Sequence, residues 1–266
     1  MTLTRALPFA VLLLTAALAL LTPALAPDPH TQNLMLSLQS PDAQHWLGTD
    51  HLGRNTLARL GEGLRTSLSL ALASALLAVV VGSALGLLAA TRDGWTDRLL
   101  SAVADGVAAI PGLLWVLLIA ALAPGEKWAL YSGLVLTAWV EFFRLVRSHA
   151  RSALLDQPVQ AARLLGFGPG YIVRWHVLHP IAGVLAGLWA YAVASAVLAI
   201  AALGFISVGV RPPQAELGLM MTEALPYYHD APWLLAAPVL VLVLVIGALQ
   251  AVVGQATGDT HRRVTA

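Results

Sequence analysis

Asp105, Glu141, Arg144 and Arg147 are charged residues set in or beside long apolar runs. In a hydrocarbon environment such a charge costs about 2.5–3.5 kcal/mol on insertion scales unless it faces protein or water. Glu141 and Arg144 are close enough in sequence to pair on one helical face, and Arg144 and Arg147 can also reach an interface by snorkelling. Asp105 precedes Ile110-Pro111, and the proline is expected to kink its helix. A polar residue beside a kink suits a gated pathway, so Asp105, Pro111 and Glu141 are candidate pathway residues; an internal Glu141–Arg144 pair is the plainer alternative. The histidines (His30, His45, His51, His149, His176, His179, His229 and His261) invite a metal reading. None pair at an i, i+4 spacing inside an apolar run, and interfacial or structural roles fit them better than ligation. No Gly-x-x-x-x-Gly-Lys phosphate loop occurs, and "GFGPG" at 166–170 lacks the lysine and follows a helix instead of a strand. No nucleophile stands with a base in one segment, so catalytic, cofactor and metal residues are expected to be absent.

The elements that carry these residues are set by composition. Of 266 residues 58% are hydrophobic and 11% charged, with a mean hydropathy of +0.77, against about 25% charged in a soluble domain. The chain is therefore expected in a bilayer. A net charge of +1 with no basic tail or stripe offers nothing to nucleic acid, and zero cysteines exclude disulfides and thiolate metal sites.

Six apolar segments are long enough to span: 6–26, 68–91, 101–123, 129–147, 180–206 and 231–253. Asp93, Gly94, Asp97 and Arg98 separate the second from the third, and "APGEKW" separates the third from the fourth; connections this short predict antiparallel neighbours. Segment 6–26, preceded by Arg5 and ending in "ALA", also fits a secretory signal. Pro27 directly after the would-be cut favours an uncleaved helix. The expected organisation is a first transmembrane helix with an external connection over 1–67, a transmembrane domain over 68–255, and a short cytoplasmic tail over 256–266.

With the amino terminus inside, ten of the 15 Lys and Arg fall on the cytoplasmic side (Arg5, Arg92, Arg98, Arg144, Arg147, Arg151, Arg163, Arg174, Arg262 and Arg263). Arg54, Arg59, Arg65, Lys127 and Arg211 fall outside. This asymmetry predicts both termini and the 150–180 loop in the cytoplasm. Within that loop, "DQPVQAARLLG" predicts a short helix with Asp156 as N-cap, Pro158 in the first turn and Gly166 as the stop. Ala161, Ala162 and Leu165 give it a small apolar side. Alone it would be marginal in water, so it needs a partner surface, either lipid headgroups or another protein.

"QAARLLG", followed by "HVLHP", resembles the Glu-Ala-Ala loop of permease subunits in ATP-binding cassette importers. "LGTDHLGRNTLARL" (47–60), "DRLLSAVADGVAAIPGLLWVLLIAALAPG" (97–125) and "LGFISVGVRPPQAELGLMM" (203–221) are similar to motifs of the dipeptide, oligopeptide and nickel group of those permeases. The resemblance spans roughly residues 45–255. Gln160 stands where that family has Glu, His179 where it has Pro, and Leu217 where it has Trp.

The resemblance implies an all-α integral membrane protein of about six transmembrane helices, with a cytoplasmic coupling loop between the fourth and fifth. It implies residence in the inner membrane and ATP-driven, binding-protein-dependent import by alternating access. Peptides are the first expectation for the substrate and nickel or a metal chelate the second. ATP and Mg would be bound by two separate ATPase subunits. The other implied partners are a second, different permease and an external substrate-binding protein. Gln160, Ala161, Ala162, Arg163 and Gly166 would couple to the ATPase, with the two alanines in its groove. A self-sufficient secondary transporter should show internal repeats, and none is evident.

Overall fold

The computed structural model describes residues 3–92 and 94–264, with side chains described over 6–24, 26–92 and 94–255. The side chains of Arg5, Asp93, His261, Arg262 and Arg263, used above, lie outside that set. Among the described residues there are helices and no strand beyond one isolated bridge, Thr49 to Asn55.

Five helices are long and apolar enough to cross a membrane, or six if one bent pair counts as a span. α1 (Leu3–Leu25) leads through an extended arm to α2 (Thr56–Thr91). α2 begins twelve residues before the apolar segment at 68, because Asn55 caps it by accepting the Ala58 backbone N–H at 3.0 Å. Arg59, Glu62 and Arg65 make those opening turns read as connection. At 1.5 Å per residue the 36 residues of α2 extend about 54 Å, well beyond an apolar layer of roughly 30 Å.

The expected third span is broken. α3 (Trp95–Ala108) and α4 (Gly112–Leu122) meet at 82°. Pro111 cannot donate to a preceding carbonyl, and the bend is far larger than a kink. The Trp115 indole N–H donates back to the Val107 carbonyl at 3.0 Å and pins α4 onto α3.

α5 (Lys127–Ala153) packs chiefly on α2 rather than only on its sequence neighbour. Ala71, Ala75, Ala78, Gly82, Gly86 and Ala89 are all buried and recur every three or four residues on α2. Small side chains let the two backbones approach. A Cβ on Gly82 would lie 2.4 Å from the Trp139 carbonyl oxygen, and one on Gly86 2.7 Å from that of Phe143. Phe142 and Phe143 fill the remaining space as two of the largest fully buried side chains.

After α5 come α6 (Gln157–Leu164), α7 (Pro169–Ile172) and a π-helical turn, Val173–Leu178. α8 (Ala182–Phe205) packs on α2 and on α10 (Pro232–Val264), and the short α9 (Leu217–Ala224) joins them. α9 sits directly on α8: a Cβ on Gly218 would lie 1.9 Å from the Ala201 carbonyl oxygen.

α1 packs on α2 and α10. Pro23 lacks the N–H that would otherwise bond the Ala19 carbonyl four residues back. Arg65 supplies the missing donors, Nε at 3.0 Å and NH2 at 2.8 Å. Gly61 meets Thr22 at the same crossing, where a Cβ would overlap the threonine side chain.

Candidate functional site

Three features stand out: a buried ion network at the arm, a cavity between the helices, and the short-helix loop at the other end. At the end carrying the arm of residues 26–55, Asp50 Oδ2 accepts from Arg54 Nε and from Arg59 NH1, each at 2.6 Å. Glu223 of α9 takes the same arginines, Arg59 at 2.6 Å and Arg54 at 3.3 Å. Arg54 and Arg59 are each only 2% exposed. Burial pushes the Asp50 carboxyl up, but the Arg54 backbone N–H and the charges of Arg59 and Arg54 outweigh it and hold its pKa below the ordinary value. This network ties the arm to the start of α2 and to α9.

Beside it, Glu216 is fully buried and caps α9 through the backbone N–H groups of Gly218 and Leu219, both at 3.0 Å. The Ser67 hydroxyl of α2 donates to the same carboxyl at 3.1 Å. Burial pushes the Glu216 pKa up, against the pull of these donors. Sequence reasoning missed Glu216 and Glu223 as structural partners. The available signal was their isolation as acids in a largely apolar stretch, which demands partners.

In the middle lies a cavity of about 620 Å³, bounded by α2, the α3–α4 break, α5 and α8. Pro111 and Glu141 line it, together with Arg144, Thr137, Tyr191 and Ser195. Asp105 is outside the lining but holds Arg144, whose NH2 lies 2.8 Å from Asp105 Oδ1. The expected Glu141–Arg144 pair does not form: Arg144 reaches across to α3 instead of one turn along α5. Glu141 has no hydrogen bond or ion pair among the described residues. Arg147 does not snorkel freely either. Its Nε and NH2 hold Asp97 at 2.5 and 2.8 Å, and Arg151 adds a third contact at 2.8 Å. The two-pronged geometry locks the start of α3 to the last turns of α5.

At the end opposite the arm, α6 lies where the sequence places it. Asp156 occupies the N-cap in extended conformation without a side-chain capping bond, and Pro158 sits in the first turn. Gly166 has φ +80°. The Phe167 N–H returns to the Ala162 carbonyl and the Gly166 N–H to that of Arg163, both at 3.0 Å. That is a Schellman stop, which needs the left-handed residue. The two alanines separate here. Ala162 is buried with Val159 and Ile172 in the loop's own small core, whereas Ala161 is exposed. Gln160 is exposed and donates to the Leu154 carbonyl at 3.2 Å, and Arg163 is exposed. The two alanines therefore do not share one exposed face. Ala162 holds the loop together, and the outward apolar surface is Ala161 with Leu164 and Leu165, which are 90% and 77% exposed.

Apolar helices long enough to cross a membrane, an open cavity of about 620 Å³ between them and a compact two-helix loop projecting from one end fit a membrane transport subunit. Residues 82–258 match the binding-protein-dependent transport system inner membrane component family, and the chain belongs to that family. It is 31% identical over 231 residues to the dipeptide transport system permease protein of Alkalihalophilus pseudofirmus, covering 86% of this chain and 76% of that one. It is 32% identical over 233 residues to the probable D,D-dipeptide transport system permease protein of Escherichia coli, covering 86% and 77%. The oligopeptide transport system permease protein of Bacillus subtilis is 29% identical over 211 residues, covering 79% and 69%. Among solved structures, the MetNI methionine ABC transporter in inward-facing conformations matches with a TM-score of 0.56 and 21% identity, covering 78% of this chain and 96% of that one. The fold is that of an ABC importer membrane subunit.

Proposed function

We propose that this permease carries peptides, and that its α6 surface couples it to a separate ATP-hydrolysing subunit. Exposure of Leu164 and Leu165 on a loop that already has its own core carries the coupling reading. The core of Val159, Ala162 and Ile172 makes the loop rigid enough to transmit a push, and the exposed leucines are a small apolar anchor for a groove. ATP and Mg would be held by the partner, which would drive alternating access. A second, different permease would complete the pathway and an external binding protein would deliver substrate. Both termini and the α6 loop would face the cytoplasm. The peptide relatives favour peptide over nickel.

Two measurements test this. In a strain lacking the chain, complementation should restore uptake of a labelled dipeptide and leave nickel uptake unchanged; the reverse result would remove the peptide reading. Leu164→Asp should abolish co-purification with co-expressed ATPase subunits while the permease still accumulates, and Arg163→Ala should retain it. Full co-purification of Leu164→Asp would remove α6 from the interface.

A further inference from the structure

Among the described residues, Glu141 is the sole carboxylate lining the cavity of about 620 Å³, and Arg144 is the sole cation. Arg144 is engaged by Asp105 on α3. That pair satisfies itself, so Glu141 is left as the lining carboxylate with no partner among the described residues. An ionised carboxylate offers only acceptors, and the described residues leave all of its acceptor positions to whatever enters the cavity. The hydroxyls of Ser74, Thr137, Tyr191 and Ser195 are the other polar side-chain groups in the lining, Ser74 donating to the Ala71 carbonyl, and the remaining wall is largely apolar. A divalent metal would want several oxygen or nitrogen ligands together, and the described residues hold no group of three His, Cys, Asp or Glu. A single acceptor charge in an apolar cavity matches an organic ammonium group.

We propose that Glu141 is a specificity-determining residue, holding the side-chain ammonium group of a positively charged peptide in the cavity between α2, the α3–α4 break, α5 and α8. The inference rests on the reading of this chain as a peptide permease. It assigns Arg144 a separate part: by staying with Asp105, the arginine leaves Glu141 free to meet the substrate.

The test uses the complete importer in proteoliposomes, with two tripeptides that its binding protein demonstrably takes, one with lysine and one with glutamate at the centre. Uptake is measured with the binding protein saturated, so its own preference cancels between wild type and variants. Glu141→Gln should lower the lysine-to-glutamate uptake ratio about tenfold, the discrimination of one lost charge contact. Glu141→Asp should keep most of it, and the thermal midpoint of Glu141→Gln should match wild type. An unchanged ratio, or an equal fall for both peptides, overturns the proposal. If wild type moves neither peptide, the peptide reading itself fails, an outcome distinct from an unchanged ratio between variants.

Discussion

Asp50 and Glu223 face two almost fully buried guanidiniums, so removing either acid strands a positive charge away from water. Asp50→Asn should destabilise the permease by about 3–5 kcal/mol, the scale for breaking a buried pair, seen as a lower thermal midpoint in detergent. The pKa of Asp50 is held below its ordinary 3.8. Its contribution is therefore complete above that value and is lost as pH falls through the lower folded pKa. Glu216 works in the opposite sense. Its pKa is raised above 4.5, so the folded state is favoured by this group below that value and loses the contribution as pH rises through the folded pKa. Glu216→Gln should flatten that decline in the pH profile of the thermal midpoint, while an unchanged profile would exclude Glu216 as its source. Ala162 is buried against Val159 and Ile172. A charge placed there would break the loop's own core, so loss of coupling in Ala162→Asp would not identify an interface; Leu164 is the informative position.

Between elements, contact depends on which backbones can come close and which leave groups unpaired. The α2–α5 crossing leaves no room for Cβ at Gly82, whose neighbour is a backbone carbonyl that cannot rotate away. Gly82→Ala should cost about 1–3 kcal/mol, as overpacked sites do, and lower the detergent melting point. The α1–α2 contact makes a more discriminating test. Arg65→Ala leaves the Ala19 carbonyl without its donors and should cost about 1–3 kcal/mol. In a Pro23→Ala background the helix regains the missing N–H, so the same Arg65→Ala change should cost much less. Additive effects in that double-mutant cycle would show that Arg65 does not substitute for the proline's absent donor.

For the whole molecule the open prediction is orientation. Zero cysteines make single-cysteine labelling unambiguous. Ser40→Cys on the arm should react with a membrane-impermeant maleimide in intact cells, and Leu164→Cys on α6 only after the membrane is opened. The opposite labelling would place the α6 loop outside and end its assignment to an ATPase.

Much of the architecture is local and was legible residue by residue. Apolar runs long enough to span a bilayer declare themselves because the solvent selects them. The ends of α6 follow from the fixed φ of Pro158 and the left-handed freedom of Gly166, both properties of the chain at that point. Tertiary structure decided the rest. Arg144 chose Asp105 over Glu141, although Glu141 is its neighbour on α5, because the broken third span brings α3 across at 82° to α4. Ala162 turned inward because Ile172 folds back onto it. Arg65 found the carbonyl that Pro23 leaves open on another helix. Such choices depend on which remote groups meet after packing, and spacing along one helix carries no record of them.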